Sequence, residues 1–246
     1  MARAIPAVGS VALASRAWSI LDFVLIWLGG LLGASALLIL GTFIGDESWT
    51  VLLGLGGQYV GNLGVFWLIS RTKDAHAIGF RVEGGDFGYV ALGLVLQILI
   101  AVLFLPLSNL LFPDGRPQQI TDIIADARSL PLVTGLVLAT VLLAPVTEEL
   151  MFRGVLLTAF EPRGRRFAVV MTAVVFSGVH VLGLDIDRLW QSAVVVLPPL
   201  FILGVILAWL THRSGRLGPA ILLHSGWNLL AAVVLLLPSE VLEQVG

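Results

Sequence analysis

Three ionisable side chains lie within one short apolar segment, the part of the chain best equipped for chemistry. They are Glu148, Glu149 and Arg153, and each would cost at least about 2.5–3.5 kcal/mol at the centre of a bilayer. Adjacent helical residues point about 100° apart, so the two carboxylates cannot share one direction. Glu149 and Arg153 are four residues apart and can pair along one helix face. We therefore predict a structural Glu149–Arg153 ion pair beside Glu148 as the working carboxylate.

Two further polar motifs follow in separate apolar runs. His180 comes four residues after Phe176, and Asn228 comes four residues after His224. Residues with this spacing project from one face of a helix. An imidazole and an amide facing the interior of a helical bundle suit hydrogen-bond donation to a developing oxyanion. The alternative is a set of interhelical polar contacts that stabilise packing only.

The composition is that of a membrane protein. Of 246 residues, 58% are hydrophobic and 12% are charged, whereas a soluble domain carries about 25% charged residues. The absence of cysteine excludes thiol catalysis and thiolate metal sites. The net charge of −2 argues against a nucleic-acid partner.

The apolar runs predict an all-α polytopic membrane bundle of about seven or eight transmembrane helices. Each run is near or above the roughly 20 residues that cross the hydrocarbon layer. We expect a single transmembrane domain over 1–246, with the catalytic core in 131–237. Glycine pairs four residues apart (Gly29 and Gly33, Gly57 and Gly61) favour close approach of helix backbones. The runs are 17–44, 50–70, 87–112, 131–158, 166–184, 191–211 and 217–237.

Basic residues are concentrated in alternate connecting segments, which predicts the orientation of the chain. The positive-inside rule places the N-terminus in the cytoplasm and the C-terminus outside, in the plasma membrane. The basic residues assigned to the cytoplasmic side are Arg3, Arg16, Arg71, Lys73, Arg81, Arg163, Arg165, Arg166, Arg213 and Arg216. Those assigned to the outside are Arg116, Arg128 and Arg188.

Together, the three motifs resemble the signature of the CPBP family, the CaaX-protease and bacteriocin-processing group of intramembrane proteases, also called the Abi family. The matching pattern is Glu148-Glu149-x-x-x-Arg153, then Phe176-x-x-x-His180, then His224-x-x-x-Asn228. This group includes the type II CaaX prenyl endopeptidases. The resemblance covers roughly residues 130–235 and implies a multi-span helical peptidase whose glutamate activates water.

We therefore expect peptide-bond hydrolysis in a wet cavity that opens to the cytoplasm. Glu148 would be the general base, with His180 positioning the water or shuttling its proton. His224 and Asn228 would stabilise the oxyanion, while Glu149 would hold the helix and set the local field. The substrate would be a membrane-associated protein or peptide, and this reading needs no cofactor.

A metal-dependent version would use the same side chains. One glutamate and two histidines, here Glu148, His180 and His224, match the ligand number of catalytic zinc sites. The chain contains no H-E-x-x-H pattern, and its two histidines come from different helices. The sequence therefore favours glutamate–water chemistry over zinc.

Two non-peptidase functions are the alternatives. Buried glutamate and histidine relays also occur in proton-coupled transporters. Against that reading, we expect the ionisable residues of the membrane spans only in the last four apolar runs, and no repeat symmetry is visible. The other alternative is a non-catalytic membrane partner, of a sensor kinase or in bacteriocin immunity.

Overall fold

A computed structural model describes residues 17–43, 47–73, 75–113 and 129–236. Among these residues, six helices are long and apolar enough to cross a membrane, and a shorter apolar helix follows at Gly218–Val234. The chain is therefore a polytopic helical membrane protein, as the apolar runs predict. The helices are α1 (Ile20–Thr42), α2 (Glu47–Ser70), α3 (Gly88–Leu111), α4 (Leu130–Leu138), α5 (Ala144–Glu149), α6 (Leu157–Phe160), α7 (Arg165–Val179), α8 (Leu189–Ser214) and α9 (Gly218–Leu236).

The run predicted at 131–158 is a single membrane span with an irregular interior. This span, which we call the broken helix, extends over Leu130–Arg163. Its α4, α5 and α6 segments are separated by π-helical turns at Ala139–Leu143 and Leu150–Leu156. Such turns are rare inside α-helices and are frequent at functional sites. The sequence explains these turns only in part. Pro145 has no backbone N–H, so it cannot donate the hydrogen bond that a regular helix would form at that position.

Glycines allow α1 and α2 to pack in backbone contact. A Cβ atom added at Gly57 would collide with the carbonyl of Gly33, and one added at Gly61 would collide with the carbonyl of Gly29. The predicted small-residue pairs therefore form the interface between the first two spans. Gly64, also on α2, has no heavy atom within 4 Å of the equivalent position.

The ionisable residues are not confined to the last four spans, and the expectation that they are is wrong. Asp22 lies in the first turn of α1 and is buried. Its carboxylate accepts hydrogen bonds from the backbone and hydroxyl of Ser19, which caps the helix. It also pairs with the Lys73 ammonium at 2.8 Å, which joins the start of α1 to the end of α2. The role of Asp22 is therefore structural.

The main core lies between the broken helix, α7, α8 and α9. Close glycine contacts also bring α9 against α3. A Cβ at Gly226 would collide with the backbone of Val90, and one at Gly93 would collide with the backbone of Leu223. These contacts fix the position of α9 along α3, and α9 carries the His224 motif.

Part of the sequence-based orientation argument lies outside the described residues. This applies to Arg3, Arg16, Arg116 and Arg128. The predicted orientation of the termini therefore stays a prediction.

The α1–α2 interface predicts opposite responses at two glycines on one helix. We expect Gly61→Ala to destabilise the protein by about 1–3 kcal/mol, because the new methyl group meets the α1 backbone. The control Gly64→Ala should be neutral or slightly stabilising, since alanine favours the helix and nothing faces it. Thermal unfolding in detergent measures both, and an unchanged Tm for Gly61→Ala would contradict this packing.

Candidate active site

The predicted ion pair between Glu149 and Arg153 is present at the centre of the core. Arg153 Nη1 lies 3.0 Å from Glu149 Oε1, and both side chains are completely buried. Arg153 Nη2 also donates to the backbone carbonyl of Gly204 at 3.2 Å. The guanidinium thus connects the broken helix to α8. Its positive charge also balances the Glu149 carboxylate, which would be costly to bury without a cation beside it.

His224 lies between the two glutamates. Its Nδ1 is 2.9 Å from Glu149 Oε1, and its Nε2 is 3.9 Å from Glu148 Oε2. Because Glu149 is paired with Arg153, its carboxylate accepts and the imidazole Nδ1–H donates. In the neutral ring, Nε2 then presents its lone pair toward Glu148. Glu149 therefore also orients His224, a contact that helical spacing could not reveal.

Glu148 differs from Glu149 in its access to the surroundings. Its side chain is 25% exposed, whereas that of Glu149 is 0% exposed. Its Oε2 atom is enclosed and has no hydrogen-bond partner among the described residues. Glu149 Oε2 also lacks a partner among the described residues, so the two carboxylates differ in exposure and in the ion pair that Glu149 makes with Arg153. Partial exposure makes Glu148 the more accessible of the two.

His180 is oriented by the way α7 ends. The helix stops at Val179 and continues as a tighter 3-10 turn, in which the His180 backbone N–H bonds to Ser177 and Gly178. The Phe176 carbonyl accepts instead from His180 Nδ1 at 2.7 Å. Because a carbonyl can only accept, Nδ1 carries the hydrogen, and Nε2 of the neutral ring is free to accept a proton.

The Phe176 ring holds the polar side chains in place. It is completely buried and lies 4.4 Å from the Arg153 guanidinium carbon. The rings of His180 and His224 make edge contacts with it, at centroid distances of 5.0 and 5.8 Å. The structure thus brings the first, second and third motifs around one phenyl ring.

Asn228 contacts the broken helix rather than His224. Its Nδ2 donates to the carbonyl of Thr140 at 2.9 Å. In a π-helical turn that carbonyl would pair with the residue five positions later, which is Pro145 and has no N–H. Asn228 therefore satisfies an acceptor that proline leaves without a partner, using one of its two amide hydrogens.

One residue near the site carries no motif. Tyr59 of α2 is buried and packs against Ala139 and Ala144 of the broken helix. Ala144 precedes Glu148 by one turn on the same face of α5. Sequence reasoning missed it because a tyrosine in an apolar run matches ordinary packing.

Metal ligands are present as residue types but not as a cluster. Among the residues that the structure describes, no three His, Cys, Asp or Glu side chains are grouped closely enough to hold a metal ion. The donors that could contribute are Glu148 Oε2 and His224 Nε2, which lie 3.9 Å apart, and the Nε2 atom of His180.

The buried ion pair predicts a large loss of stability when one partner is removed. We expect Arg153→Ala to cost about 3–5 kcal/mol, because it leaves the Glu149 carboxylate buried without its cation. Arg163→Ala, at an exposed position, is the matched control. Thermal unfolding in detergent is the measurement, together with a double-mutant cycle with Glu149→Gln. Additive effects in that cycle would contradict the pairing.

Comparison with known proteins supports the relationship indicated by the three motifs. Residues 130–230 match the family model described as type II CAAX prenyl endopeptidase Rce1-like. The match includes the broken helix and extends into α9, and so contains every motif residue. Searches of curated proteins and of solved structures find no match. Residues 130–230 of this membrane protein are thus similar to the Rce1-like type II CAAX prenyl endopeptidases.

Proposed function

We propose that the protein is an intramembrane endopeptidase that hydrolyses a peptide bond with a glutamate-activated water. The observation that carries this proposal is the position of His224, with Nδ1 on Glu149 and Nε2 facing Glu148. A buried carboxylate behind an imidazole stabilises the ring when it becomes charged, as in other hydrolases. Glu148 lies on the opposite side of the His224 ring and is partly exposed, and a general base needs such access to water.

In this mechanism Glu148 removes a proton from water as the water oxygen attacks the peptide carbonyl. The oxyanion of the tetrahedral intermediate accepts hydrogen bonds from protonated His224 Nε2 and from the second amide hydrogen of Asn228. The C–N bond then breaks, and the proton held by Glu148 passes to the leaving amine. His180, with its free Nε2, positions the water or relays that proton.

The substrate class follows from where the site lies. Glu148 is inside a membrane span, so the scissile bond must enter the bilayer region, and a membrane-associated protein or peptide fits. The family description points to prenylated CaaX proteins as one such class. We further propose that the cavity opens to the cytoplasm, with the protein in the plasma membrane and its N-terminus inside.

A zinc-dependent version of the same hydrolysis would need Glu148, His180 and His224 as ligands, and the described structure does not group these three closely enough to hold an ion. The free Nε2 of His180 and the unpaired Oε2 of Glu148 are donors of the type that zinc accepts. Bound zinc would polarise the carbonyl and lower the pKa of its water. Chelation separates the two versions.

Replacing the general base should abolish activity without unfolding the protein. We expect Glu148→Gln to lower kcat by about 10²–10⁴-fold on a quenched fluorescent lipidated peptide in detergent or liposomes. Glu161→Gln, at an exposed glutamate, is the control and should retain full activity. Full activity of Glu148→Gln would reject this role. An inactive Glu148→Gln variant that still preserves the cellular phenotype would favour the alternative of a non-catalytic membrane partner.

Metal removal should leave the glutamate–water reaction intact. We expect purified active protein to keep its rate after dialysis against a strong chelator, with no zinc detected by elemental analysis. Loss of activity on chelation, with recovery on adding zinc alone, would replace the glutamate mechanism by the metal version.

A further inference from the structure

Four arginines lie where α7 begins and α8 ends. They are exposed, and we call them the arginine cluster: Arg163, Arg165, Arg166 and Arg213. Helices α7 and α8 pack against each other. His212 Nδ1 lies 3.4 Å from Glu161 Oε1, a contact that joins the last turn of α8 to the 161–163 turn just before α7. The four guanidinium groups therefore share one end of this helix pair.

The protein supplies no counter-charge to the arginine cluster. Within the part of the chain that the structure describes, none of the four guanidinium groups pairs with a carboxylate. Arg216, three residues after Arg213, differs because its guanidinium pairs with Asp86 and Glu83. Two of the four arginines also occupy the first turn of α7, where the helix dipole disfavours a cation and no acidic residue offsets it. Local stabilisation of the fold therefore does not explain these positions.

The arginine cluster lies at the level of the membrane interface. The span of α8 ends at Ser214, and Trp209, in the last two turns of that span, is 46% exposed. Tryptophans near the ends of membrane spans lie at the level of the lipid headgroups. The Arg213 guanidinium carbon lies 5.5 Å from the centre of the Trp209 ring, a cation–π contact. The tryptophan therefore holds one guanidinium of the cluster at headgroup depth.

An exposed apolar column continues from the arginine cluster into the span of α7. Val170 and Val174 follow Arg166 at spacings of four residues, so the three side chains lie on one helix face. Both valines are 45% exposed and belong to the span Arg165–Gly183. A positive charge at the interface, next to an apolar column in the span, fits an amphiphile with a negative headgroup and acyl chains. An acidic protein segment fits the charge but not the column.

We propose that the arginine cluster is a binding site for the headgroup of an anionic phospholipid. The guanidinium groups of Arg166 and Arg213 contact the phosphate, because a planar guanidinium matches two phosphate oxygens at once. An acyl chain of the same lipid lies along Val170 and Val174. This lipid-binding function is separate from peptide hydrolysis and does not depend on the proposed peptidase activity.

The test titrates the purified whole chain in detergent with phosphatidylglycerol and, in parallel, with phosphatidylcholine. Native mass spectrometry counts the bound lipids. We expect wild-type protein to bind the first phosphatidylglycerol at least about 25-fold more tightly than phosphatidylcholine, because each of two arginines at an anionic surface contributes about fivefold. The double variant Arg166→Gln/Arg213→Gln should lose this preference and leave phosphatidylcholine binding unchanged.

A matched control removes two exposed arginines outside the cluster. Arg81 is paired with Glu83, and Arg188 lies at the other end of α8. Arg81→Gln/Arg188→Gln changes the net charge by the same amount and should bind phosphatidylglycerol within about twofold of wild type, since neither residue belongs to the cluster. Because all four substituted residues are exposed, both double variants should unfold at the wild-type Tm. If Arg166→Gln/Arg213→Gln nevertheless unfolds, the two single variants are compared, each with an expected loss of about fivefold.

Three results would overturn the proposal. Equal affinity of wild-type protein for the two lipids would leave the arginines a role in membrane orientation only. An equal loss of phosphatidylglycerol binding in both double variants would show a general effect of net charge. Inorganic phosphate or a hexaglutamate peptide that binds as tightly as phosphatidylglycerol would make the occupant a free anion or an acidic protein segment instead of a lipid.

Discussion

The buried contact of Arg153 with Glu149 is the interaction on which the rest of the site depends. A carboxylate with 0% exposure is tolerable in this core only because a guanidinium lies 3.0 Å away. That pairing keeps Glu149 an acceptor, and an acceptor at this point fixes the orientation of His224. Through Nη2, the same guanidinium joins the broken helix to α8 at Gly204. One cation therefore supports a helix–helix contact and the orientation of an imidazole.

The irregular winding of the broken helix is the second structural condition for the site. Two π-helical turns flank the glutamate pair, and each extra residue per turn rotates the side chains that follow. Because Pro145 cannot donate to the carbonyl of Thr140, that carbonyl is available to Asn228. α9 is thus attached to the broken helix at two points, through His224 and through Asn228. Close glycine contacts also fix the position of α9 along α3.

Two adjacent glutamates have different environments because they point in different directions. Glu149 points into the core toward Arg153 and His224. Glu148 keeps 25% of its side chain exposed, and each of the two carboxylates has one enclosed oxygen without a partner among the described residues. Two identical residues thus acquire different surroundings, one fully buried and paired with an arginine, the other partly exposed. The α2 helix lies close to this region, because Tyr59 packs against Ala144, which is one helical turn before Glu148.

The sequence alone determined the class of the protein and the pairs that lie on one helix. Apolar runs of membrane-spanning length predicted the helices, and spacing of four residues predicted the Glu149–Arg153 pair, because both follow from local chain geometry. Spacing could not reveal the partners of His224 and Asn228. Their contacts, at Glu149 and at the Thr140 carbonyl, join positions 75 and 88 residues apart. Only the tertiary packing brings Tyr59 of α2 against Ala139 and Ala144 of the broken helix, because that contact joins helices that are far apart in the chain.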